Sequence, residues 1–251
     1  MNDDSILQEM IENKESCRII QNDTDYTVKL RPQAISESLK DKLSNEDILS
    51  GMSIVTKQIA LSNIKTELYR QCCNTNCKYK NNNIFRAIPN GNSNAKVLFL
   101  NDKPTDYEVC NMCSQCDRND VFLSLILNKM NIERETIYCT SLTKCNQDVD
   151  DNTYNECINT FLSKEIDYIK PKIIVCNGIS TLKKGKQAGI FQNLPSNITY
   201  GKIYTITASN TQTNIIAIYD IETVLNKTDE AYDKCKTELW MQLLSVFKSI
   251  E

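Results

Sequence analysis

The stretch that most constrains the fold runs from Thr136 to Ser180, TIYCTSLTKCNQDVDDNTYNECINTFLSKEIDYIKPKIIVCNGIS. Residues 137–142 predict a strand, a polar loop follows, residues 153–169 predict a helix, and residues 172–177 predict a second strand. Pro171 ends the helix because its nitrogen has no proton to continue the backbone ladder. A strand, a helix and a strand in this order make a right-handed crossover unit, which demands a parallel sheet. Cys145 closes the first strand, and Cys157 falls in the first turn of the predicted helix. The loop joining them, NQDVDDNTYNE, consists of turn formers and cannot build a core. Its ends need another reason to be held together, and a shared metal centre would supply one.

The flanking sequence continues the alternation. AKVLFL (95–100) reads as a buried strand and VFLSLILNKM (121–130) as a helix. A further helix, ISTLKKGKQAG, follows Gly178, and IYTIT (203–207) and NIIAIY (214–219) close the sheet. The last helix places Ala231, Cys235, Leu239, Leu243 and Phe247 on one face, and Trp240 is expected to anchor it in the core. Before residue 66 the chain looks like a helical extension: SILQEMIE and AISESLKDKL as helices, DYTVKL as a short strand. Residues 45–71 carry apolar side chains at helical spacing and deliver the helix end to Cys72, Cys73 and Cys77. The expected fold class is α/β: a three-layer α/β/α domain over 66–251 with a central four-stranded, mainly parallel sheet, and a helical N-terminal extension over 1–65.

Two counts narrow the chemistry: 12 Cys and no His. Lacking His, the chain loses the commonest general base and the usual Cys/His and Ser/His/Asp nucleophile systems. Any metal site must then be dominated by cysteine, as in an iron-sulfur cluster or a four-cysteine zinc site. No apolar run approaches the ~20 residues that cross a bilayer, so no membrane partner is expected. The acidic start MNDDSILQEM has neither the basic nor the apolar part of a signal peptide. The expectation is a cytoplasmic chain whose cysteines are reduced thiols or metal ligands rather than disulfides. Net charge is −3, from 29 basic and 32 acidic residues, which gives no global push toward nucleic acid. Abundant Asn, Ile and Lys beside only 6 Gly and 5 Pro suggest the AT-rich coding of low-GC bacteria, many of them anaerobes.

Eight of the 12 cysteines fall into three groups. Cys72, Cys73 and Cys77 end a helix, Cys145 and Cys157 flank the polar loop, and Cys110, Cys113 and Cys116 form a Cys-x2-Cys-x2-Cys run with ferredoxin-type spacing. The run allows three readings: ligands of a second cluster or other metal, redox-active or cross-linking thiols, or reduced surface cysteines. It is also the rival for the main metal site. Against that stands Asp117-Arg118, where a ferredoxin has a fourth Cys followed by Pro. Cys139 and Cys176 lie inside apolar strands and read as core residues, whereas Cys17 and Cys235 read as packing or surface residues.

The pattern strand-Lys144-Cys145, loop, Glu156-Cys157, amphipathic helix, Lys170-Pro171-Lys172-Ile-Ile-Val, Asn177-Gly178 resembles the iron-sulfur uracil-DNA glycosylases, the family 4 type. The resemblance covers Cys73 to about Tyr219. It implies a 4Fe-4S cluster held by Cys73, Cys77, Cys145 and Cys157, with Cys72 as a substitute for Cys73 and zinc as the alternative metal. The catalytic motifs depart from the family. Its Gly-Glu-Ala-Pro-Gly loop corresponds to Asn101-Asp102-Lys103-Pro104-Thr105, its uracil-reading Asn falls on Ser141, and its His-Pro motif on Ser209-Asn210. Asp102 is the sole weak catalytic candidate, and a loop Asp of this kind ordinarily serves as a solvated residue or a cap. Lys183, Lys184 and Lys186 read as a solvated helix face.

The resemblance therefore implies a divergent member without base-excision chemistry, with a structural, redox or oxygen-sensitive cluster. Its expected partner is another protein or a second copy of the chain, in a cysteine-rich assembly such as a spore layer. The alternatives are a DNA glycosylase with altered base specificity and a four-cysteine zinc module.

Overall fold

The computed structural model describes residues 45–70, 86–209, 211–227 and 230–250. The expected elements before residue 45, and Cys17, Cys72, Cys73 and Cys77, lie outside the described residues.

Seven strands form one sheet: β1 (Asn90–Gly91), β2 (Val97–Asn101), β3 (Ile137–Ser141), β4 (Ile173–Asn177), β5 (Phe191–Gln192), β6 (Ile203–Ala208) and β7 (Thr211–Ile218). Their order is β1-β3-β2-β4-β7-β6-β5. The four at the centre, β3, β2, β4 and β7, run parallel, while β1, β6 and β5 pair antiparallel at the two sides. The expected parallel core of four strands is thus present, widened to seven by a hairpin and two two-residue strands. Ile203–Ala208 joins as the hairpin partner of β7 rather than as a crossover strand, because only two residues separate them.

The helices are α1 (Asn45–Arg70), α2 (Asp106–Cys110), α3 (Arg118–Lys129), α4 (Asp151–Cys157), α5 (Ser163–Ile169), α6 (Ile179–Gln187), α7 (Ile221–Leu225) and α8 (Glu230–Lys248). Side chains alternate across the central strands, so each face needs its own cover. Leu98, Leu100, Tyr138, Ile174 and Ile215 meet Leu61, Ile64 and Leu68 of α1, Phe161, Ile166 and Leu182. Val97, Phe99, Ile137, Val175 and Ile216 meet Phe122 and Leu127 of α3 and Leu239, Leu243 and Phe247 of α8. These are the three layers. Helix α1 runs unbroken through residue 65 and belongs to the compact unit Asn45–Glu251.

The helix expected from residue 153 starts earlier. Asp150 caps α4, its carboxylate accepting from the Thr153 N–H at 2.9 Å. A π turn, Ile158–Leu162, then joins α4 to α5. Cys157 is therefore the last residue of α4 and not in its first turn, so amides of a helix N-terminus do not face its thiol. The rich choice of caps in Asp148-Val-Asp-Asp151 hid the true start. Lys170 closes α5 in the left-handed region, with φ 52°, and Pro171 turns the chain into β4.

Candidate functional site

Loops that leave parallel strands converge at their C-terminal edge, which is where sheets of this kind place ligands. Here that edge is tied by amides. Asn101, the last residue of β2, donates from Nδ2 to Gln115 Oε1 at 2.7 Å and accepts from Asn177 Nδ2 at 3.0 Å. Asn177 in turn accepts the Ile221 N–H at 2.9 Å, which fixes the start of α7. Asp102 follows directly. Its carboxylate accepts from the Tyr154 hydroxyl of α4 at 3.0 Å and from the Lys184 ammonium of α6. Lys184 also lies 5.9 Å from the centre of the Tyr154 ring. Burial, followed by the nearby Asp102 charge, raises the Tyr154 phenol above its ordinary value. A cleft of about 360 Å³ opens beside them, lined by Val149, Asp151, Tyr154, Asn155, Lys184 and Gln187.

Asp102 is thus held between two helices, where the sequence led us to expect a solvated or capping acid. Lys184 lies on the exposed face expected for it and is the partner of Asp102. Nothing in local sequence pairs residues 82 positions apart; only the crossover connections bring α4 and α6 to the end of β2.

Ser141 ends β3 at the same edge, buried, with Oγ donating to the Thr143 carbonyl at 2.6 Å. The placement of the His-Pro motif on Ser209-Asn210 is corrected by topology. Because β6 runs antiparallel to β7, Ser209 lies at the N-terminal edge of β7, across the sheet from Asp102. There its Oγ donates to Asp167 Oδ2 at 2.9 Å. The residues that follow the fourth parallel strand are Tyr219 and Asp220. Asp220 caps α7 and lies beside Gly178, whose φ is 91°. An acid at this point cannot stabilise negative charge developing on a departing base.

Below this edge, Lys144 and Glu165 form an ion pair with side-chain exposures of 1% and 0%. Lys144 Nζ sits 3.0 and 3.1 Å from the two carboxylate oxygens and also donates to the Ser141 carbonyl at 2.9 Å and to Thr140. The pair clamps the turn after β3 onto α5. Its neighbour Cys145 is half-buried, and Cys157 is buried in the cluster that contains Leu68, Ile158 and Phe161. The Ala87 N–H donates to the Lys144 carbonyl at 2.9 Å. Glu67 of α1 lies 3.8 Å from Lys164 of α5. Both described flanks of residues 71–85 therefore rest on the unit that carries Cys145 and Cys157.

Of the remaining cysteines, Cys139 and Cys176 are fully buried, as their strands led us to expect. Burial pushes the Cys139 thiol up to about 12 and also raises that of Cys176. Cys110 is exposed, while Cys113, Cys116 and Cys235 are half-buried. Trp240 packs, partly buried, against the helical core. Among the described residues, no three Cys, Asp or Glu side chains converge into a metal-holding group. No described helix is long and apolar enough to cross a membrane.

The uracil DNA glycosylase superfamily model matches residues 88–244, well over half of the chain. The chain belongs to the uracil DNA glycosylase superfamily. A search of curated proteins finds no match. The superfamily region spans all seven strands and includes Asp102, Cys145 and Cys157, whereas α1 and the Cys72–Cys77 stretch precede it. Sequence reading missed Tyr154, Gln115 and Asp220 at the C-terminal edge of the parallel strands, and Glu165 below it. For Asp220 a signal existed: it directly follows the apolar run of β7, the position the motif occupies relative to the fourth strand.

Proposed function

We propose that this superfamily member is a non-catalytic, cluster-holding protein in which Cys73, Cys77, Cys145 and Cys157 ligate a 4Fe-4S cluster, with Cys72 able to replace Cys73. Zinc is the alternative occupant of the same thiolates. The observation that carries the reading is that the residues flanking 71–85, Leu68 on one side and Ala87 on the other, pack on or bond to the unit holding Cys145 and Cys157. The donor set suits the group: with no His in the chain, soft thiolates are the available ligands, and they favour iron-sulfur or zinc. Bound there, a cluster supplies a cross-link and a one-electron redox centre. The chain's own residues do the rest. Leu68, Ile158 and Phe161 keep solvent from the Cys157 side, and the Lys144–Glu165 pair holds the Cys145 turn in place.

The absence of base excision rests on the edge chemistry. Asp102 is engaged by a cation and a phenol, which leaves its carboxylate little room to orient water. Ser141 spends its hydroxyl on its own loop, and Asp220 stands where positive charge is needed. The role is structural, redox or oxygen-sensitive, in the cytoplasm of a low-GC bacterium, with a protein partner or a second copy. A cysteine-rich assembly such as a spore layer is a setting it would suit.

The test is iron and sulfide analysis with visible absorption of anaerobically purified protein. Wild type and Cys113→Ser are expected brown, with Cys145→Ser and Cys157→Ser colourless. Colour that survives Cys145→Ser and vanishes with Cys113→Ser overturns the assignment, and colourless protein holding zinc selects the alternative. A second reading, a glycosylase with altered base specificity, draws on the polar cleft beside Asp102. Absence of excision on uracil, hypoxanthine and alkylated-base duplexes removes it.

A further inference from the structure

The loop between α2 and α3, Asn111 to Asp117, carries chemistry that the proposed cluster does not use. Two of its residues without a glycine's freedom, Met112 (φ 52°) and Gln115 (φ 55°), adopt the left-handed conformation. Each immediately precedes a cysteine, so the chain makes the same sharp bend twice and folds Cys116 back over Cys113. The Cys116 thiol donates to the Cys113 carbonyl at 3.1 Å, and the Cys113 thiol donates to the Ser114 carbonyl at 3.6 Å.

The bend is held from outside. Thr105 and Glu108 form a capping box on α2, and the Glu108 carboxylate also accepts the Gln115 N–H. The Cys113 N–H donates to the Glu108 carbonyl at 3.0 Å, and the Ser114 N–H to the Ile88 carbonyl at 2.8 Å. Backbone in unfavourable regions persists where its surroundings fix it in this way, and such places concentrate at functional sites.

The surroundings also separate the two sulfurs chemically. The hydrogen bond from Cys116 is the largest influence on Cys113 and lowers its pKa. Arg134, which donates to Asp120 and to Cys139 Sγ at 3.2 Å each, adds to this, while burial, Asp120 and Glu108 oppose it. Cys116 is raised by the same hydrogen bond and by burial. Cys113 and Cys116 are half-buried residues, whereas Cys139 is fully buried.

We infer that Cys113 and Cys116 form a redox-active dithiol that undergoes thiol-disulfide exchange with a small-molecule disulfide of the glutathione type. The Cys113 thiolate attacks one sulfur of the disulfide, forming a mixed disulfide and releasing one small thiolate. Cys116 then gives up its proton and attacks Cys113 Sγ. The internal disulfide forms and the second small thiolate leaves. Two cysteine thiols are oxidised, one external disulfide is reduced to two thiols, and the two cysteine protons pass to the leaving thiolates. Gln115 lies between the two cysteines and accepts from Asn101, so oxidation acts on the loop that fixes the edge beside Asp102. The inference stands apart from the cluster and from its four ligands.

The full chain, equilibrated anaerobically in glutathione buffers of graded oxidised-to-reduced ratio, is quenched with iodoacetamide and its peptides are weighed. The expected product is an internal Cys113–Cys116 disulfide, unchanged in Cys110→Ser. In the reduced protein, Cys113 is expected to alkylate at least about tenfold faster than Cys116. Cys116→Ser is expected to accumulate a mixed disulfide on Cys113. Reduced cysteines at every ratio, a disulfide to Cys110 instead, or equal alkylation of Cys113 and Cys116 would each overturn the inference, and the wild-type measurement decides even if a variant fails to fold.

Discussion

Removing one member of the Lys144–Glu165 pair should damage the protein far more than removing both. At a separation of 3.0 Å the attraction is about 5 kcal/mol for an effective dielectric of ~20. Desolvating two ions that are 1% and 0% exposed consumes several kcal/mol each, so the intact pair contributes close to nothing net. Truncating one partner strands the other charge in the core, at about 3–5 kcal/mol. For a domain of this size that lowers the Tm by roughly 6–20 °C. Lys144→Met and Glu165→Leu are therefore each expected to melt early by circular dichroism, and the double variant to return within about 1.5 kcal/mol of wild type. Because the pair also holds the turn before Cys145, each single variant should alkylate Cys145 faster. Single variants that cost less than about 1 kcal/mol, or a double variant whose loss equals the sum of the two, would refute the reasoning.

Other outcomes follow from separate features. A Cβ on Gly185 would lie 2.2 Å from the Phe191 ring, so Gly185→Ala should destabilise by about 1–2 kcal/mol despite its gain in helix propensity, with Phe191→Leu relieving it. Tyr154→Phe, which removes the 3.0 Å bond to Asp102, should cost about 1 kcal/mol in urea denaturation. Cys139 is pushed by burial from 9.0 to about 12 in the folded state. A raised folded value favours the neutral thiol. Its stabilisation is therefore full below the unfolded pKa and lost as pH climbs toward 12. Cys139→Val should accordingly show a flatter stability profile than wild type over that alkaline range.

The parallel core was legible because its strands are short apolar runs separated by a capped helix and a Pro, and each such signal is local. Helix α1 was legible for the same reason, as Leu61, Ile64 and Leu68 recur at the spacing that faces a core. What escaped was long-range. Asp102 and Lys184 and Lys144 and Glu165 meet through crossovers, Asn101 and Gln115 through the loop after β2, and no periodicity marks polar pairs of that kind. The misplaced His-Pro position has a sharper cause. IYTIT and NIIAIY read alike as strands, and only the two-residue turn between β6 and β7 reveals that one of them runs backwards. That reversal moved the position from Ser209 to the edge occupied by Asp220.

The most direct test of the proposed cluster is anomalous scattering at the iron edge from crystals grown without oxygen. Strong iron density is expected between Cys145 and Cys157, with a different iron of the cluster within bonding distance of each Sγ. Iron beside Cys113 instead, or none between Cys145 and Cys157 in brown, intact protein, would contradict it.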